Sequence, residues 1–176
     1  MLPNAPMQDV SALQDSLNIA FNNPDLLQQA LVHRSYLNEN PSFELDHNER
    51  LEFLGDAVLE LAVTEHLYNH YPNPEGELTN WRAALVNATS LAASAREARL
   101  EAHLYLSRGE SRDANTKARN YILANAMEAI IGAIYLDQGY ESARAFVETW
   151  IIAKLPDILL HKLYRDPKTA FQEASQ

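Results

Sequence analysis

Residues 47–61 read HNERLEFLGDAVLEL, and they are the most informative stretch of this 176-residue chain. Apolar residues recur here at spacings of three and four, which is the period of an α-helix rather than of a β-strand. Asp46 and Glu49 have the spacing of a capping box, so we expect a helix over about 47–69. At ~1.5 Å per residue that helix would be roughly 35 Å long. The stretch therefore predicts the central helix of a domain.

The same period recurs along almost the whole chain, and the sequence contains only five glycines. These features predict an all-α domain with seven to nine helices. Asn23 and Pro24 have the residue types of a helix N-cap and first turn, so a helix is expected to begin there. Further helices are predicted over about 77–86, 88–99, 119–136 and 141–154, with a break at 71–76 and a solvated loop at 107–117.

Composition excludes several classes of protein. The chain is 47% apolar, which is enough for a core, and it has a formal net charge of −10 and no cysteine. A disulfide scaffold, a thiolate zinc site and a cysteine nucleophile are thereby ruled out. The N-terminal residues lack the basic and apolar segments of a signal peptide, and the apolar run 121–136 is too short to span a bilayer. We therefore expect a cytoplasmic protein without a membrane span.

Four acidic residues of the predicted central helix are spaced by three, four and four positions, which places them in one row: Glu49, Glu52, Asp56 and Glu60. On a solvated helix face such a row would have no special meaning. The surrounding residues are mostly apolar, however, so the helix is predicted to be buried and its carboxylates to need a proton or a cation. Only Arg50 lies close by in sequence as a partner. Gly55, inside the helix, indicates close approach of another backbone.

A second apolar helix, YILANAMEAIIGAIYL at 121–136, carries Asn125 and Glu128 three residues apart. By itself this could be an isolated polar pair that is satisfied inside the core. Two apolar helices that both carry oxygen ligands instead favour a shared site for a hard divalent cation, Mg²⁺ or Mn²⁺, rather than for zinc. Such cations promote phosphodiester hydrolysis without a protein nucleophile.

Four blocks of this sequence, in this order, resemble the ribonuclease III family. Residues 47–61 resemble its signature helix, and 30–40 (ALVHRSYLNEN), 75–87 (EGELTNWRAALVN) and 122–140 (ILANAMEAIIGAIYLDQGY) resemble three further blocks. The resemblance covers about residues 10–160. It implies an all-α, ribonuclease III endonuclease domain-like fold that forms a homodimer. It also implies Mg²⁺-dependent hydrolysis of double-stranded RNA, as in the processing of rRNA and other structured RNA precursors.

The resemblance also assigns roles to individual residues. Glu52, Asp56 and Glu128 match the metal-binding carboxylates of the family, and Asn125 stands at a fourth ligand position that is usually aspartate. An asparagine offers a carbonyl oxygen but removes one negative charge, so we expect weaker metal binding. The predicted catalytic residues are Asp56, Glu128 and Glu49, the last to orient a water. Phe53 matches an aromatic residue that inserts into the partner subunit.

We expect residues 1–160 to form the catalytic domain. Residues 161–176 are predicted to be a linker and the start of a truncated double-stranded-RNA-binding domain, because DPKTAFQE at 166–173 resembles the first helix of that domain. Loss of this basic module would explain the acidity of the chain. The remaining candidates for contacts with RNA phosphates are Arg34, Arg82, Arg96, Arg99, Arg108, Arg112, Lys117 and Arg119.

The sequence gives weaker support to three other functions. Asn125 and the truncated end suggest a double-stranded-RNA-binding or assembly protein that keeps the fold but has weak or no activity. His66 and His70, four residues apart, could chelate a metal, but a di-iron carboxylate bundle requires Glu-x-x-His on two helices, which the sequence does not offer. Ser35 has no recognisable His and Asp partners, which disfavours a serine hydrolase.

Overall fold

The computed structural model describes residues 9–112 and 116–164, and every regular element in these ranges is a helix. The all-α prediction is confirmed. Helices of five to seven residues, too short to show a period, raise the number of α-helices above the predicted seven to nine. The ten α-helices of the described ranges are α1 (Ser11–Leu17), α2 (Pro24–Ala30), α3 (Arg34–Glu39), α4 (Glu49–His70), α5 (Glu75–Val86), α6 (Ala88–Glu97), α7 (Arg108–Arg112), α8 (Lys117–Gln138), α9 (Tyr140–Trp150) and α10 (Leu155–Leu160).

Four helices, α2, α3, α6 and α8, begin at a residue whose side chain accepts a hydrogen bond from an amide of the first turn, whereas the central helix α4 does not. The side chain of Asn23 accepts a hydrogen bond from the Asp25 amide, as expected of an N-cap before Pro24. At α4 the predicted capping box is wrong, because Asn48 occupies the N-cap position and Asp46 accepts from the His47 amide instead. Asn48 is buried and donates from its Nδ2 to the Ala30 carbonyl, 3.0 Å away. A tertiary contact, not a local one, fixes where α4 begins.

The segment between α6 and α8 is more ordered than the predicted solvated loop. It contains a 3-10 turn at Leu100–His103, an isolated parallel bridge between Val32 and Tyr105, and helix α7. The backbone amide of Ser107 donates to Ser35 Oγ at 3.1 Å, which joins the segment to the start of α3. The prediction of a loop over 107–117 is therefore wrong for residues 108–112.

Helix α8 lies at the centre of the domain and packs against α2, α4, α6 and α9. Its buried residues surround most of the helix, and they include Met127, Ile130, Ile131 and Ile134. A helix that is apolar on nearly all sides is expected to lie at the centre of the fold. For α8 the sequence prediction of a buried helix is correct.

The two long helices meet at two glycines, as Gly55 suggested. A Cβ atom added at Gly55 would overlap the carbonyl oxygen of Glu128 and lie 2.8 Å from the amide nitrogen of Gly132. A Cβ added at Gly132 would overlap the carbonyl oxygen of Leu51 and lie 3.1 Å from the amide nitrogen of Gly55. Only glycine leaves space for this backbone contact. The crossing places the N-terminal third of α4 directly against the second half of α8.

None of the helices in the described ranges combines the length and hydropathy needed to cross a bilayer. The predicted linker and partial RNA-binding domain at 161–176 fall almost wholly outside the described residues, which end at Tyr164.

Candidate functional site

The acidic row of α4, defined as Glu49, Glu52, Asp56 and Glu60, lies at the edge of the surface that α4 exposes. Asp56 is exposed, and Glu52 and Glu60 are partly buried. The prediction that α4 is buried nearly all round is wrong. One side of the helix packs into the core, mainly through Leu51, Leu59 and Val63, whereas the residues on the opposite side are exposed among the described residues. The row therefore runs along a boundary between core and surface.

Helix α8 brings Glu128 to this row. The Gly55–Gly132 crossing places the backbone of Glu128 against Gly55, next to Asp56 in sequence. Glu128 and Asn125, one turn before it, are both partly buried. A backbone contact that admits no side chain thus brings Glu128 of α8 next to the carboxylates of α4.

The charges of these carboxylates act on one another. Burial raises the pKa of Glu128 to about 8, and the neighbouring charges of Asp56, Glu52 and Glu60 add to that rise. Burial likewise raises the pKa of Glu52, with further contributions from Glu49 and Asp56. Among the residues that the structure describes, no Lys, Arg or His forms an ion pair with Glu52, Asp56 or Glu128. These three carboxyl groups therefore form a cluster without a basic partner among the described residues.

The two ends of the acidic row have basic partners that the sequence did not indicate. Arg34 Nη1 lies 3.4 Å from Glu49 Oε1, and Arg82 Nε lies 3.0 Å from Glu60 Oε2. The expected partner, Arg50, forms no ion pair with described residues. Both pairs join different helices, so their partners could not be found from spacing along α4. Glu49 is therefore held apart from the cluster, toward α3.

The cluster fits a hard divalent cation by its donor set, which consists of carboxylate oxygens and the Asn125 amide oxygen. As the side chains stand in the described ranges, no three His, Asp or Glu residues are arranged to hold a metal ion. Because the pKa of Glu128 is raised to about 8, a cation at this cluster would have to displace the proton of that carboxyl group near neutral pH. The chemistry of the residues fits such a cation.

Next to the acidic row, α4 exposes a row of apolar and uncharged residues that we call the α4 stripe: Phe53, Ala57, Leu61, Thr64 and Tyr68. Phe53 is 83% exposed, Tyr68 79% and Leu61 56%. At its C-terminal end the stripe borders a cleft of about 540 Å³ between α4 and α5. Exposed apolar residues in a row of this kind are typical of protein-contact surfaces. The sequence singled out Phe53 but missed the rest of the stripe, although its spacing of three to four residues was readable.

Of the eight residues predicted to contact RNA phosphates, one is buried and three form ion pairs with carboxylates. Arg119 is buried, 3% exposed, and it donates to the Glu110 carbonyl and lies 3.7 Å from Glu101. It holds α7 to the start of α8 and is no contact for RNA phosphates. Arg34, Arg82 and Arg96 pair with carboxylates, whereas Arg99, Arg108, Arg112 and Lys117 are exposed.

Comparison with known proteins gives a consistent result. A family model described as Ribonuclease-III-like matches residues 23–155. "Ribonuclease 3" of Desulforamulus reducens is 47% identical over 170 residues, covering 96% of this chain and 69% of that protein. "Ribonuclease 3" of Pelotomaculum thermopropionicum is 44% identical over 176 residues, covering 99% and 72%.

Solved structures agree with the sequence comparison. The nuclease domain of ribonuclease III from Campylobacter jejuni, described as flexible in a region involved in dimer formation, superimposes with a TM-score of 0.74 at 40% identity. The match covers 84% of this chain and 99% of that domain. The fold and site thus define a helical nuclease domain, and the resemblance predicted from residues 47–61 is confirmed. This chain belongs to the ribonuclease III family, and it is an endoribonuclease.

Proposed function

We propose that this protein hydrolyses phosphodiester bonds of double-stranded RNA with the help of a divalent cation, Mg²⁺ or Mn²⁺. One observation supports the proposal: Asp56 and Glu52 lie close enough to Glu128, across the Gly55–Gly132 crossing, to raise its pKa, and none of the three has a basic partner among the described residues. The raised pKa values of Glu52 and Glu128 support the proposal further, because groups with perturbed pKa values cluster at functional sites.

In this proposal Glu52, Asp56, Asn125 and Glu128 hold the cation. When bound, the cation would lower the pKa of water and stabilise the negative charge that develops on the phosphate. Asp56 follows Gly55 in sequence and the backbone of Glu128 contacts Gly55, so these two carboxylates would hold the cation at the crossing. Glu49, held by Arg34, lies at the outer end of the row and orients a water there.

The proposed substrate is an RNA duplex, from rRNA precursors or other structured RNA. The exposed cations Arg99, Arg108, Arg112 and Lys117 are the available contacts for its phosphates. With a net charge of −10, the chain as a whole repels RNA, so we infer that affinity is weak and falls steeply with salt. The direct test is cleavage of a labelled duplex in Mg²⁺, with single-stranded RNA of the same sequence as the control.

A second candidate, a double-stranded-RNA-binding or assembly protein without activity, rests on Asn125. Asn125→Asp restores a fourth carboxylate, so we expect half-maximal cleavage at a Mg²⁺ concentration about two- to tenfold lower than in wild type. The measurement is duplex cleavage over a series of Mg²⁺ concentrations, with direct Mg²⁺ titration by calorimetry. Asn69→Asp, on the exposed side of α4, adds the same charge elsewhere and is the control. Cleavage only by Asn125→Asp would favour the second candidate.

We further propose a homodimer that buries the α4 stripe of each subunit, with Phe53 inserted into its partner. Phe53→Ser is expected to shift the protein to monomer at micromolar concentration. Each buried ring contributes about 1.5–3 kcal/mol, and a two-fold dimer contains two of them. At about 1.4 kcal/mol per tenfold, the dimer Kd should rise about 100-fold or more.

Sedimentation velocity measures this shift. Leu160→Ser removes an equally exposed apolar residue on α10 and should leave the dimer intact. A wild-type monomer at micromolar concentration, or equal dimerisation of the Phe53 and Leu160 variants, would contradict the assignment of the interface.

The remaining assignments are also proposals. We infer that residues 1–160 form the nuclease unit and that 161–176 lead toward a double-stranded-RNA-binding domain; the family match ends at residue 155. We place the enzyme in the cytoplasm, where its proposed RNA substrates are processed.

A further inference from the structure

Two histidines near the C-terminal end of α4 form a pair that the nuclease site does not use. His66 and His70 are one helical turn apart, and their rings stack with centroids 4.3 Å apart and planes inclined by 21°. Histidines at this spacing on one helix face bind a single metal ion in other proteins, since both imidazoles reach the same point. The pair lies about two to three turns beyond Glu60, the last residue of the acidic row.

The hydrogen bonding of His70 leaves one of its ring nitrogens available as a ligand. His70 Nδ1 lies 2.8 Å from the carbonyl oxygen of His66. A carbonyl only accepts, so Nδ1 carries the proton and Nε2 keeps its lone pair. Metal-binding histidines use this arrangement, in which the second nitrogen donates to a carbonyl and fixes the ring.

His66 is also suited to bind as a neutral ring. Burial lowers its pKa, and the neighbouring His70 lowers it further, whereas Glu148 opposes this and Arg144 adds to it. A lowered pKa keeps the imidazole unprotonated near neutral pH, and only that form binds a metal. The charged groups facing it from α9 are thus Glu148 and Arg144.

Space and charge around the pair admit a cation. A polar cavity of about 180 Å³ between α4 and α9 is lined by His66, His70 and the carboxylates Glu65, Glu141 and Glu148, and a second cleft of about 480 Å³ adjoins it. Arg144 also lines this cavity, but it pairs with Glu141 at 2.8 Å and with Glu148 at 2.7 Å. Its positive charge is therefore balanced within α9.

We propose that His66 and His70 form a second metal site, which binds a borderline transition cation such as Ni²⁺, Cu²⁺ or Zn²⁺ through two imidazole nitrogens. Imidazole prefers these cations, whereas the carboxylate cluster prefers hard ones, so the two sites differ in selectivity. Water completes the coordination, because no three-residue metal set exists among the described residues. A bound cation would connect the last two turns of α4 and stabilise the folded state.

The test is calorimetric titration of the whole chain with Ni²⁺ in the presence of millimolar Mg²⁺, which competes with Ni²⁺ for the carboxylate cluster. We expect one Ni²⁺ per chain with a roughly micromolar Kd. His66→Ala and His70→Ala should each weaken binding by about tenfold or more, because one imidazole alone cannot chelate. His103→Ala, which removes a histidine of the 3-10 turn at Leu100–His103, is the control and should bind as wild type.

A thermal unfolding measurement gives a second readout. Ni²⁺ should raise the Tm of wild type and of His103→Ala, but not of His70→Ala, and Mg²⁺-dependent duplex cleavage should be unchanged in all three. His70→Asn, which keeps a donor for the His66 carbonyl at an exposed position but removes the imidazole, separates loss of the ligand from loss of fold. Absence of Ni²⁺ binding by wild type would overturn the proposal. Binding that survives both histidine substitutions and is lost in Glu128→Gln would also overturn it, because the ion would then occupy the carboxylate cluster.

Discussion

Replacing Glu128 with glutamine is expected to lower the rate of duplex RNA cleavage by about 10³-fold while the protein stays folded. The substitution keeps the shape of the side chain but removes the charge that holds the cation beside Asp56. A divalent cation contributes several kcal/mol to stabilisation of the transition state, and each tenfold in rate corresponds to about 1.4 kcal/mol. Single-turnover cleavage of a labelled duplex in Mg²⁺ measures the loss.

The same variant should be more stable than wild type at high pH. Because the pKa of Glu128 is raised to about 8 in the folded protein, its charge is disfavoured by folding. Its effect on stability is therefore absent below its ordinary value of 4.5 and grows as the pH rises from there to about 8. Allowing for solvent screening, Glu128→Gln should gain about 1–2 kcal/mol above that range in Mg²⁺-free buffer.

Urea unfolding of both proteins across this pH range tests the second expectation. Glu44→Gln, an exposed position before α4, removes the same charge and should change neither cleavage nor the pH dependence. Cleavage at the wild-type rate by Glu128→Gln would show that the site has been assigned to the wrong residues. A loss of stability at all pH values would show that Glu128 has a structural role.

Gly55→Ala is expected to destabilise the fold by about 3 kcal/mol or more. Its Cβ would overlap the carbonyl group of Glu128, and because backbone atoms cannot rotate away, α4 and α8 would have to separate. Overpacking in a core usually costs about 1–3 kcal/mol, and a backbone collision belongs at the upper end. Cleavage should also fall, since separation moves Glu128 away from Asp56.

Gly76→Ala is the matched control. No atom lies within 4 Å of a Cβ built at Gly76, which is in the first turn of α5. An alanine there should be neutral or stabilise by up to about 1 kcal/mol, since alanine favours a helix over glycine. Urea unfolding compares the two variants. Equal midpoints for Gly55→Ala and wild type would show that the two backbones are not in contact.

Much of this architecture could be predicted from local patterns. The apolar period located α4 and α8 to within two residues at each end, and Asn23 with Pro24 located the start of α2. Gly55 indicated a close backbone approach before its partner was known, and that prediction is confirmed. These features could be predicted from the sequence because each depends on residues within one helix.

Other features could not be predicted because their partners are distant in sequence. Asn48 begins α4 through the Ala30 carbonyl, and Arg82 pairs with Glu60 from another helix. Arg119 is charged and yet buried, held by the carbonyl of Glu110. For the same reason α4 was expected to be buried all round, although the α4 stripe is exposed.

The amino-acid pattern thus established the helices, the carboxylates along them and the family, because periodicity and a long signature reside in contiguous residues. The arrangement of helices determined which carboxylates have no basic partner among the described residues, which apolar face of α4 is exposed, and that His66 and His70 line a cavity. The periodicity of the sequence indicates on which side of a helix each apolar or charged residue lies. It does not indicate what occupies the space on that side, which is set by contacts between residues far apart in the chain.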